Sequence, residues 1–325
     1  MRRAAFVVIL SIVLAGSLFI HSSQGAEYPR QTIELLCPYV AGGSFDLYSR
    51  LIADKAQKYL GQPLVVINKP GGGGTTVVAD LISSKPDGYK LGVLGNVYFY
   101  TTVKSQKVPF DPGNVVPIAN FLELKIGLQV KGDAPWKTLS ELLDYGKRNP
   151  GKLTWGHSGR GLTTYMNTRL IFEKAGVKAT DIPYQGTAPN VTALLGGHVD
   201  AMSQPHGAIS GQIEAGTMRY LVVYADHRYS DMPDVPCSKE LGFAEAAKMR
   251  TLLGVYAHKD TPEEFKKILF DAFKKAFDDP EFRQGVAKLG DEPAFGGPEF
   301  IMESIKEGGE VGVPILKELG IYVGN

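Results

Sequence analysis

Two periods of hydrophobicity alternate along most of this chain. Short apolar runs end in glycine-rich turns, and the turns lead into segments whose apolar residues recur every three or four positions. That alternation predicts strands feeding helices. In the first unit, residues 32–37 form a strand stopped by Pro38, a loop covers 39–46, and Tyr48, Ile52, Ala56 and Tyr59 mark a helix that Gly61 ends. Ser44 is the expected N-cap, and Asp46 places a negative charge in the first turn, where the helix dipole favours it. Residues 64–67 are the next strand, and a strand–helix–strand unit of this length implies a parallel pair with a right-handed crossover.

The pattern repeats. Residues 70–74 open a helix through Val77, Val78, Leu81 and Ile82, and 90–94 is a third strand. After Asn96 the helical period lapses, and 118–130 reads as extended. Residues 139–146 form a short helix. A second strand–loop–helix unit follows, with strand 153–155, loop 156–161 and a helix carrying Met166, Leu170 and Ile171 that stops near Gly176. Strand 181–184 leads through 185–188 to a helix with Pro189 in its first turn, and 199–202 and 220–224 are further strands. Thr261-Pro262-Glu263-Glu264 has capping-box spacing before a stripe of Phe265, Ile268, Leu269, Ala272, Phe273, Ala276 and Phe277. Pro298 opens a last helix, with a kink expected at Pro314. The fold class is α/β, with mainly parallel sheets flanked by helices in two lobes. Lobe one is expected to hold 27–122 plus 228–325, and lobe two 123–227, with the C-terminal helices on lobe one.

The N-terminus changes the compartment. Arg2 and Arg3 precede a mainly apolar run from Ala4 to Ile20, and Ser23 and Gly25 suit cleavage before Ala26. Residues 1–25 therefore read as a secretory signal, and the mature protein as periplasmic. An uncleaved anchor is the weaker alternative, because the run is at the low edge of the about 20 residues that span a bilayer.

Composition removes further classes. The chain has 325 residues, 44% hydrophobic and 21% charged, with a formal charge of +1. No cationic excess exists to neutralise phosphates, so nucleic acid is not an expected partner. Cys37 and Cys237 are too few for a disulfide scaffold and read as unpaired thiols. The histidines show no metal-ligand spacing, so neither a metal nor a cofactor is expected.

The candidate chemistry lies in glycine loops at helix starts. Free N–H groups and the positive end of the dipole make such a start an anion site. Loops 41–46, 71–76 and 156–164 have this layout, and 186–189 is similar. None matches a phosphate-cradling loop or a dinucleotide fingerprint. Ser158 beside His157 falls just short of a nucleophile elbow, which keeps a secreted hydrolase as an alternative. Arg160 is the loop cation that could pair bidentately with a carboxylate, with a solvated loop arginine as the alternative. The expected ligand-binding set is Tyr39, Ala41, Gly42, Gly43, Ser44, Phe45, Asp46, Asn96, Ser158, Gly159, Arg160, Gly161, Thr163, Thr164, Tyr184, Gly186 and Gln204.

The order of these motifs resembles one family. Pro38-Tyr39-Val40-Ala41-Gly42-Gly43-Ser44-Phe45-Asp46 is similar to the opening of the Bug-type periplasmic receptors of tripartite tricarboxylate transporters. The likeness continues through Asn68-Lys69-Pro70-Gly71-Gly72-Gly73-Gly74, Pro86-Asp87-Gly88-Tyr89-Lys90-Leu91, Pro183-Tyr184-Gln185-Gly186, 194–200 and Pro233-Asp234-Val235-Pro236. It implies a two-lobed periplasmic binding protein without catalysis. The protein would be a monomer that closes on one carboxylate held by loops 39–46 and 158–164, and it would serve two integral membrane transporter subunits. A ligand sensor for a signalling partner is a further alternative. The chain departs from the family pattern at Tyr165, where the family often has His, and at Thr192, where Asp is common. Leu252-Leu253-Gly254 stands in place of Trp-x-Gly, and Arg160 is not usual.

Overall fold

The computed structural model describes residues 28–184 and 186–324, so the expected signal at 1–25 lies outside the described residues. Two sheets organise the chain. The first is built on β1 (Ile33–Cys37), where Ile33, Leu35, Leu36 and Cys37 are all buried, the pattern of a strand covered on both faces. β2 (Leu64–Asn68) and β3 (Lys90–Gly95) flank it in parallel. Helix α1 (Ser44–Leu60) packs on this sheet through Tyr48, Ile52, Ala53, Ala56 and Leu60. Tyr59 was expected on the buried stripe but is 38% exposed. Gly61 ends the helix in the left-handed region, at φ 68. α2 (Thr75–Ser83) covers the sheet with Val77, Val78 and Leu81.

The strands in the middle of the chain carry it from one sheet to the other. β4 (Val115–Leu124) belongs to the first sheet and β5 (Ile126–Lys131) to the second, with Lys125 alone between them. The second sheet continues through α3 (Leu139–Arg148), β6 (Thr154–His157), α4 (Thr163–Lys174), β7 (Thr180–Pro183), α5 (Thr187–Leu195), β8 (Ala201–Pro205), α6 (Ser210–Glu214) and β9 (Met218–Val223). Its strand order is β7-β6-β8-β5-β9. The chain then returns to the first sheet as β10 (Thr251–His258) and, after helices α7 (Glu263–Asp278) and α8 (Pro280–Lys288), as β11 (Glu292–Gly296).

Neither sheet is mainly parallel, contrary to the expectation. β10 runs antiparallel to β3 and β4, β11 to β4, and β5 to both β8 and β9. The parallel pairs are those joined by a helical crossover. The antiparallel ones all involve β4, β5 or β10, the strands at which the chain leaves one sheet or enters the other, where no βαβ geometry sets direction. Two helix starts also differ. Gly43 holds the cap position of α1, so Ser44 is the first helical residue and caps nothing. α7 starts at Glu263 with Pro262 at its cap, and Thr261 makes no capping bond.

α9 (Pro298–Glu318) contains Pro314 and lies over β4 and a π-helical stretch, Tyr98–Thr102, while α7 packs on α1. The main apolar core is continuous across both sheets, from Leu35 through Phe121 and Leu124 to Leu128 and Trp155. Cys37 and Cys237 are both buried and unpaired.

A polar knot marks the junction. Asp291 accepts the Lys125 backbone N–H at 2.8 Å and the Tyr48 hydroxyl at 2.6 Å. The Lys125 ammonium pairs with Asp231 at 2.7 Å. Burial pushes the Asp291 carboxyl up to about 6, against the pull of those donors.

Candidate ligand-binding site

A cleft of about 870 Å³ has walls from both sheets. Residues 39–45, Leu47, Val97, Leu124 and Thr251 form one side. Ile126, Ser158, 162–164, 186–189, Val191, Thr192, Gln204, Pro205, Gly207, Ala208 and Gln212 form the other. No Asp, Glu, Lys, Arg or His is among these wall residues. Polarity comes instead from three helix starts, those of α1, α4 and α5, whose first residues Ser44, Thr163 and Thr187 all line the cleft. Each presents N–H groups that precede the first intrahelical bond, and in α1 that bond is Leu47 N–H to the Gly43 carbonyl.

Loop 39–46 is held from within. Gly42 takes φ 82, and its N–H donates to Asp46 at 2.9 Å. The same carboxylate accepts the Asn68 amide at 2.8 Å and pairs with Arg50 at 2.9 Å. Burial alone would raise the Asp46 pKa, but Arg50, the Gly42 N–H and Asn68 outweigh it and hold the group below the usual range. Asp46 thus braces the loop and does not line the cleft, and the Gly42 N–H expected to face a ligand is already committed. Gly43 has φ −79, an ordinary conformation for any residue, so no backbone strain requires glycine there.

Loop 158–164 is held from outside. His157 is fully buried; its Nδ1 accepts the Gly159 N–H at 3.0 Å, so its Nε2–H donates to Asp181 at 3.1 Å. Burial lowers the His157 pKa despite Asp181. The Gly161 carbonyl accepts the Thr101 and Thr102 hydroxyls at 2.8 and 3.2 Å, bonds that reach over from the first sheet's side. Ser158 Oγ accepts the Gln204 amide at 2.8 Å. Thr163 Oγ1 lies 2.6 Å from Thr251 Oγ1, and the buried Thr164 hydroxyl has no partner among the described residues.

Eleven of the seventeen expected residues line the cleft: Tyr39, Ala41, Gly42, Gly43, Ser44, Phe45, Ser158, Thr163, Thr164, Gly186 and Gln204. Six do not. Beside Asp46, Asn96 is buried as a pin, donating to Ser304 at 2.8 Å and accepting the Leu252 N–H at 2.9 Å. Gly159 and Gly161 make the structural bonds just described. Arg160 is largely exposed and pairs with Asp181 at 3.1 Å. Tyr184 packs against the apolar cluster of the second sheet. Loop 71–76 is also outside the cleft wall. The hydrolase arrangement is not assembled either, because both His157 nitrogens are engaged elsewhere and Ser158 faces an amide.

Thr192, Gln212 and Thr251 are wall residues outside the expected loops, and Leu162 and Thr187 lie within expected loops but outside the expected set. Thr187 and Leu162 carried a signal, since each sits at a helix start in a glycine loop; the others enter through tertiary packing.

A cleft walled by two helix-flanked α/β sheets and by helix N-termini defines a periplasmic-type solute-binding protein. The chain belongs to the tripartite tricarboxylate transporter family receptors, TctC, whose profile matches residues 48–321. It is 36% identical over 293 residues to the UPF0065 protein in gbd 5'region of Cupriavidus necator, covering 88% of each. The periplasmic binding protein BugD superposes with a TM-score of 0.78 at 27% identity, over 91% of this chain and 99% of that one. MatC from Rhodopseudomonas palustris with bound malate gives 0.75 at 28% identity, over 87% and 99%. Receptors of this family bind solutes and do not transform them. Among the described residues no helix is long and apolar enough to cross a membrane.

Proposed function

We propose that this protein is an extracytoplasmic receptor that binds a small organic carboxylate at three helix N-termini and hands it to the membrane subunits of a tripartite transporter. The observation that carries this reading is a cleft with three helix starts and no charged wall residue. Micromolar affinity requires about 8 kcal/mol. Helix dipoles supply roughly 0.3–2 kcal/mol each and charge-assisted hydrogen bonds about 1.5–3. Several preorganised N–H and hydroxyl donors together therefore suffice without an arginine. Apolar wall residues such as Val40, Phe45, Val97 and Leu162 suit a carbon skeleton. The malate in MatC supports an organic acid as the ligand class.

The two sheets act as two lobes in this reading, with the divide at Lys125 and again within 224–250, and the cleft closes between them. The protein works as a monomer in the periplasm after loss of residues 1–25. N-terminal sequencing of the exported protein should begin at Ala26. The central test is thermal shift and calorimetry with a panel of carboxylates, each beside its neutral amide, with the ligand recovered and analysed afterwards. Acids should stabilise the protein and return unchanged, and amides should not bind. An amide that binds as well as its acid removes the anion-site reading.

A further inference from the structure

Gln204 is almost fully buried, yet its side chain is part of the cleft wall, where it connects the starts of two helices. Its Nε2 donates to Ser158 Oγ at 2.8 Å, and its Oε1 accepts the Thr187 hydroxyl at 2.9 Å. Its backbone is fixed by Gln129, whose Nε2 donates to the Gln204 carbonyl and whose Oε1 accepts the Gln204 N–H, both at 3.0 Å. A hydroxyl has one proton. Ser158 receives a hydrogen bond from the amide and keeps its proton for the cleft. Thr187 spends its proton on the amide and presents only lone pairs. A primary amide donates at one end and accepts at the other, so the two hydroxyls are forced into opposite roles.

We infer that Gln204 sets a donor–acceptor pair in the cleft that selects a hydroxy acid: Ser158 donates to the carboxylate, and Thr187 accepts from a hydroxyl on the ligand. This rests on the carboxylate reading above and narrows it. A ligand ammonium could also donate to Thr187, but it would sit among the positive ends of α1, α4 and α5 with no acidic wall residue to balance it. A neutral hydroxyl meets no such penalty. Gln204 is a positioning residue here, because it acts through the two hydroxyls.

The test is calorimetry of the purified mature protein with matched acids: malate and succinate, lactate and propionate, mandelate and phenylacetate, with alanine as the amino counterpart of lactate. In each pair that binds, the hydroxy acid should bind at least about tenfold tighter than its deoxy partner, since an acceptor that the bound ligand covers and leaves unpaired penalises the analogue. Thr187→Val should reduce that ratio to below about threefold while leaving the deoxy acid's affinity almost unchanged. Ser158→Ala should weaken both members of a pair by a similar factor, so the ratio survives. A purely structural role for Thr187 would lower both members together. A ratio near one in the wild type, an unchanged ratio in Thr187→Val, or alanine binding more tightly than lactate overturns the inference and leaves the carboxylate reading standing. If none of the acids binds, the carboxylate reading itself falls, and this inference with it.

Discussion

Loops 39–46 and 158–164 face the same cleft and look alike in sequence, each a strand end, a glycine turn and a helix start. They are secured in different ways. The first closes on its own Asp46, four residues from the N–H it binds, with Asn68 and Arg50 completing the brace. The second depends on groups distant in sequence: Asp181 through His157, Thr101 and Thr102 at Gly161, and Gln204 at Ser158. A self-braced loop is rigid whether or not the rest of the cleft is assembled. An externally braced loop is only as rigid as the packing of the elements around it.

The largest expected effect tests the self-braced side. Asp46→Ala leaves the Gly42 N–H, the Asn68 amide and Arg50 without their acceptor, and should cost about 3 kcal/mol in urea unfolding. A loss below about 1 kcal/mol would mean that the turn holds itself. Gly43→Val comes next. It adds a side chain to the cleft wall at an unstrained φ, so affinity for a bound acid should fall about tenfold while stability stays within about 0.5 kcal/mol. Loss of stability without loss of affinity would contradict that placement.

A more gradual effect tests the externally braced side. The folded His157 pKa is depressed by burial, so the unfolded chain takes up a proton first as pH falls. The stability tied to neutral His157 is present above its unfolded value near 6.5 and is lost as pH drops below it. Asp291 works in the opposite sense, because its raised carboxyl favours the folded state below about 6. Thermal melts of wild type and His157→Gln between pH 7.5 and 5 share the Asp291 contribution, and the wild type should lose more stability over that range. Parallel curves would remove His157 from the brace. Asp46, held below the usual carboxylate range, should keep the first loop closed throughout. The smallest effect is that of Arg160→Ala: a few tenths of a kcal/mol in binding, as expected of a solvated pair with Asp181.

The strand–helix units were legible because each is specified locally. Most of the buried stripe of α1, the stop at Gly61 and the extended stretch 118–130 follow from period and punctuation, whereas the helical turns at 98–105, where the period lapses, do not. Antiparallel entry of β10 and β5 was not legible, since direction there depends on which sheet the chain has just left. Loop 71–76 shows the same limit within the site. It has the glycine signature of an anion site, yet a Cβ at Gly74 would lie 3.2 Å from Leu94 and Tyr98, and Gln106 bonds to the Gly72 carbonyl at 3.0 Å. Glycine signals that something approaches the backbone closely; whether it is a ligand or the protein's own chain is decided by tertiary packing. Arg160 and Asn96 were misplaced for a related reason, because their partners Asp181 and Ser304 are distant in sequence.

The uncharged wall of the cleft has an electrical consequence. Dipoles and hydroxyls stabilise an anion without adding a formal countercharge, so the loaded cleft is negative and the empty one neutral, where an arginine-lined cleft would be neutral when loaded and positive when empty. A receptor that holds an acid this way gains the acid's whole charge on loading. Its external field then differs between the empty and occupied states over about a Debye length, roughly 8 Å at physiological ionic strength. Occupancy is thereby displayed at the rim of the cleft as a change of surface potential. Loaded and empty protein should separate on an anion-exchange column by the ligand's charge, even where their shapes are the same.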